Sequence, residues 1–154
     1  MKTDVCYEYD LDKAVRLLEQ VGIKATDKRT KLLSMLLEEE YPLSAYEIMD
    51  KFNEQFNERV VANSIYRILD FLTEYKLTHR LSSINKYIAC NANTFNDTNS
   101  FSVFVICGNC QKTHESPASS SLLAELNLSV EKAKFGKGFS QIELQGLCQN
   151  CRFN

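Results

Sequence analysis

From residue 11 to residue 72, apolar residues recur at three- and four-residue spacing, the period of amphipathic helices. Leu11, Ala14, Val15 and Leu18 form one stripe, and Gly22 stands where a helix C-cap belongs. Thr26 is placed to cap a second helix whose Leu33, Leu36 and Leu37 face inward, with Pro42 marking the break after it. Ser44 and Glu47 have the spacing of a capping box, ahead of a third stripe of Ala45, Ile48, Met49, Phe52 and Phe56. Residues 57–59 read as a turn. A fourth helix follows on Ile65, Ile68, Leu69 and Leu72.

After Leu77 the period changes. Residues 78–90, with a polar middle at 82–85, predict a β-hairpin, and helices followed by a hairpin predict a winged helix-turn-helix. Residues 91–100 are polar, asparagine-rich and without periodicity, which marks a linker. Beyond it an apolar run from Phe101 to Ile106 predicts a buried strand, and a second short strand fits around Lys112 to Glu115. Pro117 and the serines after it open a helix through Leu122, Leu123 and Leu126, and Phe139 to Leu147 alternates like a strand. The expected fold is α+β, in three parts: residues 1–90, a hinge at 91–100, and a small α/β domain at 101–154.

The 154 residues carry a net charge of −2, so bulk charge does not hold this chain on nucleic acid and any DNA binding needs a local basic patch. No apolar run of about eighteen residues exists, so no membrane span is expected. The N-terminal segment carries acids in place of a secretory leader's apolar run, which predicts a cytoplasmic protein. Six cysteines in a reducing compartment point to metal or redox chemistry before disulfides.

Four of the six are ordered. Cys107-Gly108-Asn109-Cys110 and Cys148-Gln149-Asn150-Cys151 are two C-x-x-C knuckles, each following a predicted strand. Two intervening residues let a tight turn aim both sulfurs at one ion, and two such turns complete a tetrahedron. One such pair would leave a thioredoxin-like redox role open; two predict a closed, structural Zn²⁺ site. The intervening residues 111–147 must then fold so as to bring the knuckles together. Cys6 is expected to be a near-surface thiol in a loose N-terminus.

In the helical half, turning the fourth stripe inward points Asn63 and Arg67 outward, with Tyr66 at the flank. Lys24, Lys28, Arg29 and Lys31, opposed only by Asp27, supply a local positive patch, to which Arg59 and Arg80 add candidate phosphate contacts. By charge pattern alone this is as much a solvated helix face as a DNA-reading surface.

With these pieces in order, the chain resembles the ferric uptake regulator family of bacterial metal-dependent repressors, from about residue 10 to residue 151. The resemblance rests on Ala25-Thr26-Asp27-Lys28-Arg29, Ser44-Ala45-Tyr46, Ser64-Ile65-Tyr66-Arg67, and the paired knuckles with Ile142-Glu143-Leu144 and Gly146 ahead of the second. Residues 44–50, 66–72 and the stretch from Thr78-His79 to Lys86-Tyr87-Ile88-Ala89-Cys90 look most like its zinc uptake regulator branch.

The resemblance implies a winged-helix DNA-binding domain, a hinge and a C-terminal dimerisation domain. It implies a homodimer bound to a palindromic double-stranded operator, with Tyr46 and Arg67, beside Ser64, at DNA-contacting positions. It implies a second, regulatory zinc on His79, Cys90 and Glu115. The branch's linker histidine is absent, and the fourth ligand is left to Asp97, Ser100, His114 or water. Taken singly, Cys90 reads as a small buried apolar residue, His79 as an ordinary hydrogen-bonded histidine and Glu115 as a solvated acid.

The chain holds only two histidines and lacks the histidine-rich run of iron and peroxide sensors; a thiolate with an imidazole favours zinc. The expected function is a zinc-responsive repressor of zinc uptake genes. It is expected to be neither an enzyme nor a binder of a small-molecule substrate, since hydrolase, zinc-protease and phosphate-loop motifs are lacking. The alternatives are a family regulator with altered or lost metal sensing, and a zinc-stabilised protein-interaction module.

Overall fold

The computed structural model describes residues 4–90, 101–136, 138 and 140–153, with residues 4–10 described by backbone alone. The expectations for the 91–100 hinge, for Asp97 and Ser100, and for the Cys6 thiol therefore lie outside the described residues. The chain is α+β and divides into two compact units, Met1–Cys90 and Asn91–Asn154.

The first unit holds α1 (Asp4–Gln20), α2 (Asp27–Leu37), α3 (Ala45–Phe56), α4 (Ala62–Glu74), β1 (Thr78–Leu81) and β2 (Lys86–Ala89). α1 packs on α2, and Ala14 and Leu18 of the first stripe are fully buried. Gly22, at φ 75°, ends α1 in a left-handed turn closed by Ile23 N–H donating to the Leu18 carbonyl at 2.9 Å.

α2 is buried more widely than its stripe suggested: Leu32 and Met35 join Leu33 and Leu36 in the core, while Leu37 is half-buried. Thr26 is its N-cap by backbone only; no side-chain cap bond forms. Instead the Thr26 carbonyl accepts from Thr30 N–H and Thr30 Oγ1, both at 2.9 Å.

The α3 capping box forms in full, with Glu47 N–H on Ser44 Oγ and Ser44 N–H on Glu47 Oε2 at 2.7 Å. Asn57 ends α3 at φ 51°. The turn into α4 is held by Asn53, whose amide donates to the Val60 carbonyl at 3.0 Å and accepts from Val60 N–H at 2.7 Å. The α3 and α4 stripes then meet, with Ile48, Phe52, Ile65, Leu69 and Leu72 all at 0% exposure, a core that fixes which α4 residues point to solvent.

β1 and β2 pair antiparallel from Thr78↔Ala89 to Leu81↔Lys86, with residues 82–85 as the turn. Leu43 adds an isolated bridge to Tyr87, through N–H···O bonds of 3.0 and 2.7 Å in the two directions, so the segment before α3 gives the wing a third edge.

The second unit holds β3 (Ser102–Cys107), β4 (Thr113–Pro117), α5 (Ser120–Lys132), β5 (Gln141–Gly146) and α6 (Gln149–Arg152). The sheet order is β4-β3-β5: β4 antiparallel to β3 through the first knuckle, β5 parallel to β3 after the α5 crossover. Phe104 and Ile106 are buried. No residue of α5 is, and Leu122, Leu128, Phe135, Val105, Leu144 and Leu147 leave an apolar surface on this unit.

Candidate metal centre and nucleic-acid surface

The parallel register of β3 and β5 builds the cysteine cluster. Cys107 lies opposite Gly146, and Gly108 N–H donates to the Gly146 carbonyl at 2.9 Å, so both strands end at one edge and each runs directly into its knuckle. The four sulfurs of Cys107, Cys110, Cys148 and Cys151 lie within 4.8 Å of one another. A tetrahedron with Zn–S bonds of about 2.3 Å has S···S edges of about 3.8 Å; Cys110 Sγ and Cys148 Sγ are 3.7 Å apart. The donor set and its spacing fit a zinc ion, and four thiolates leave no open position for substrate.

Amide donors surround the sulfurs. Cys148 N–H points at Cys107 Sγ at 3.4 Å and the Asn109 amide at Cys151 Sγ at 3.3 Å. Backbone N–H groups of Cys148, Cys110 and Asn109 hold the Cys107 thiol down, at about 6, because they stabilise its thiolate. Cys110 has one backbone donor, from Lys112, pulling the same way, but burial and the neighbouring sulfurs outweigh it and push its thiol up to about 11. One thiolate forms readily; a full set needs a cation.

The remaining candidate metal ligands fall on both units. In the first, His79 lies opposite Ile88 in the hairpin, and Cys90, two residues on, donates its N–H to the Leu77 carbonyl at 2.9 Å. Opposite and i+2 positions share a face of a sheet, so imidazole and thiol project together, a ring nitrogen and Sγ within 4.8 Å. Cys90 is buried and His79 Nε2 is shielded from solvent.

In the second unit, Glu115 pairs with Phe104 on the buried side of β3, and Oε1 accepts from Ser102 Oγ at 2.8 Å. Imidazole, thiol and carboxylate are a donor set consistent with zinc. His114 corrects one expectation. It pairs with the exposed Val105, and neighbouring strand residues point to opposite faces, so it cannot share an ion with Glu115.

On the helical unit, Asn63 and Arg67 are exposed on the first turns of α4, Ser64 and Tyr66 are half-buried beside them, and Tyr46 at the start of α3 is 61% exposed. Lys24, Lys28 and Arg59 are exposed. The positive patch is smaller than the sequence suggested. Asp27 is not its sole opposing charge: Lys31 Nζ sits 2.8 Å from Asp27 and 2.7 Å from Glu58, and hydrogen bonds first to Asp27 and then to Glu58 raise its pKa. Arg29 lies 3.7 Å over the Phe71 ring and donates to the Lys24 carbonyl, and Arg80 donates to Asn85 at 3.0 Å.

Sequence reasoning missed Ser102 and Asn109, whose partners are cross-strand or remote, Asn53, whose partner Val60 lies seven residues on across the α3–α4 turn, and Val61, an apolar N-cap left 64% exposed at the head of α4. An apolar residue two positions before Asn63, at the head of the predicted fourth helix, was the one available signal for Val61.

The sequence matches the ferric uptake regulator family over residues 20–144, most of its length. The chain belongs to that family. It is 27% identical over 141 residues to the zinc uptake regulation protein of Escherichia coli (strain K12), covering 92% of this chain and 80% of the relative. Its fold is similar to that of a zinc uptake regulator complexed with zinc and DNA, with a TM-score of 0.81, 26% identity, and coverage of 99% of this chain and 97% of the other. It is also similar to holo XcZur, with a TM-score of 0.77 at 25% identity over 94% of this chain and 97% of the other. This family member is thus a metal-responsive transcriptional regulator similar to zinc uptake regulators, and is not an enzyme. Among the described residues no helix is long and apolar enough to cross a membrane.

Proposed function

We propose that this chain is a zinc-responsive repressor of zinc uptake genes, acting in the cytoplasm as a homodimer on a palindromic double-stranded operator. The observation that carries the reading is the imidazole–thiol pair of His79 and Cys90 on one face of the wing hairpin. With the Glu115 carboxylate they make a regulatory zinc site separate from the structural site of Cys107, Cys110, Cys148 and Cys151. The soft thiolate and the shortage of histidines, two in the whole chain, favour zinc over iron.

Residues 1–90 form the DNA-binding domain, 91–100 the hinge and 101–154 the dimerisation domain, whose exposed Leu128, Phe135, Leu144 and Leu147 suit burial against a second copy. Asn63, Ser64, Tyr66 and Arg67 read bases, Tyr46 contacts the same groove, and Lys28 and Arg29 meet phosphates. Val61 offers the apolar contact that thymine methyl groups take.

A bound zinc supplies a cross-link among side chains that are far apart in the sequence. Because His79 and Cys90 belong to the wing and Glu115 to the α/β domain, holding it favours one arrangement of the two over others. Operator affinity rises with zinc, and DNA must tighten zinc binding by the same factor.

The test is operator binding by the intact dimer across buffered free zinc. Cys90→Ser should bind only at higher zinc, and a variant with unchanged zinc dependence refutes the site. One observation favours a second reading, a regulator whose sensing is altered: the branch's linker histidine is missing and His114 faces away from Glu115. Its signature is one tightly held zinc per chain and operator binding indifferent to mild chelation.

A further inference from the structure

β3 opens with one polar residue in an otherwise apolar run, Phe101-Ser102-Val103-Phe104-Val105-Ile106. Ser102 is 5% exposed. A buried hydroxyl is unfavourable unless it is hydrogen-bonded, and a valine would suit a strand at this position better. The Ser102 proton is directed to Glu115 Oε1 at 2.8 Å. The register explains how they meet: Ser102 lies opposite Pro117 and Phe104 opposite Glu115, so Ser102 and Glu115 are diagonal neighbours on one face of the β3–β4 ladder.

We propose that Ser102 is a positioning residue for the regulatory zinc site, holding the Glu115 carboxylate ready to ligate. The inference rests on the reading of Glu115 as a ligand of that site. A free glutamate must lose several rotamers on binding a metal; one whose carboxylate is already held by a strand residue has lost part of that freedom during folding. Partners that orient ligands in this way typically contribute about 10- to 100-fold in metal affinity.

The experiment is a buffered free-zinc titration of the second zinc on the intact protein, with the four-cysteine zinc counted in parallel as a check that the second unit is folded. Ser102→Ala should raise the half-saturating free zinc by about 10- to 100-fold, and Ser102→Thr should stay near the parent. Ser102→Val, matched in shape to threonine but without a hydroxyl, should behave like Ser102→Ala. Adding Ser102→Ala to Glu115→Ala should cause no further loss, since a merely structural serine would act whether or not the carboxylate is present. The inference is overturned if Ser102→Ala and Ser102→Val titrate like the parent while Glu115→Ala is weakened, or if the serine's effect persists in the Glu115→Ala background. If Glu115→Ala itself leaves the titration unchanged, the assignment of Glu115 to the site fails, and the role of Ser102 with it.

Discussion

Replacing Cys148 with serine removes one corner of the four-sulfur cluster at the point where β5 is tied to β3. Its sulfur sits 3.7 Å from Cys110 Sγ, and its N–H supports Cys107 Sγ at 3.4 Å. Structural zinc sites of this type bind with about 10–16 kcal/mol, so one thiolate in four accounts for about 3–4 kcal/mol, or roughly 10²–10³ in affinity. The second unit has little to set against this loss, because α5 and β5 contain no fully buried residue. For a unit of this size each kcal/mol moves the thermal midpoint by about 4–8 °C, so the second unit should lose more than about 10 °C. The first unit has its own core of Phe52, Ile65, Leu69 and Leu72 and should unfold at its original temperature. Zinc content under a graded chelator series, with scanning calorimetry on the same samples, measures both effects. A Cys148→Ser protein that keeps its zinc and its midpoint would refute the argument.

Three further outcomes follow from the geometry. The Glu47 carboxyl is held below its ordinary value of 4.5, first by Ser44 N–H, so its contribution is present above that pH and is lost as pH falls through the lower folded value. Its side chain is half exposed, so the Glu47→Gln deficit should be only a few tenths of a kcal/mol after screening; it should shrink below pH 4.5, and a constant deficit across urea melts would contradict this. Zinc loading at about pH 8 should release protons from Cys110 and Cys151, both pushed up, and little from Cys107, already low at about 6. Apparent zinc affinity should accordingly fall as pH falls, which calorimetry in buffers of different ionisation enthalpy reads directly. Asn53→Ala leaves the buried Val60 without its side-chain partners and should cost about 1–3 kcal/mol by urea denaturation, while Asn53→Asp, which keeps the acceptor, should lose less.

Much of the fold was legible because helix and strand periods are local. The stripes of α3 and α4, the Ser44–Glu47 box and the turn at 82–85 each depend on residues a few positions apart, and each forms. The Thr26 cap was legible only in part for the same reason: Thr26 does stand at the N-cap, as the residue type suggests, but its side chain makes no cap bond, and only its carbonyl is engaged, by Thr30. The positive patch was overestimated because Glu58 reaches Lys31 across 27 positions, a distance that charge counting along the chain does not see.

What the sequence determined by itself was the chemistry: which residues carry thiols, imidazoles and carboxylates, and that the cysteines come in two knuckles able to share one ion. The tertiary structure alone decided who meets whom. The parallel register of β3 and β5 set Cys107 opposite Gly146 and so joined the knuckles across 37 residues of chain, residues 111–147. Strand alternation turned Glu115 toward Ser102 and His114 away from it. Pairing in a sheet is set by long-range packing and hydrogen bonding, which no window along the chain contains, whereas donor atoms belong to the residues themselves.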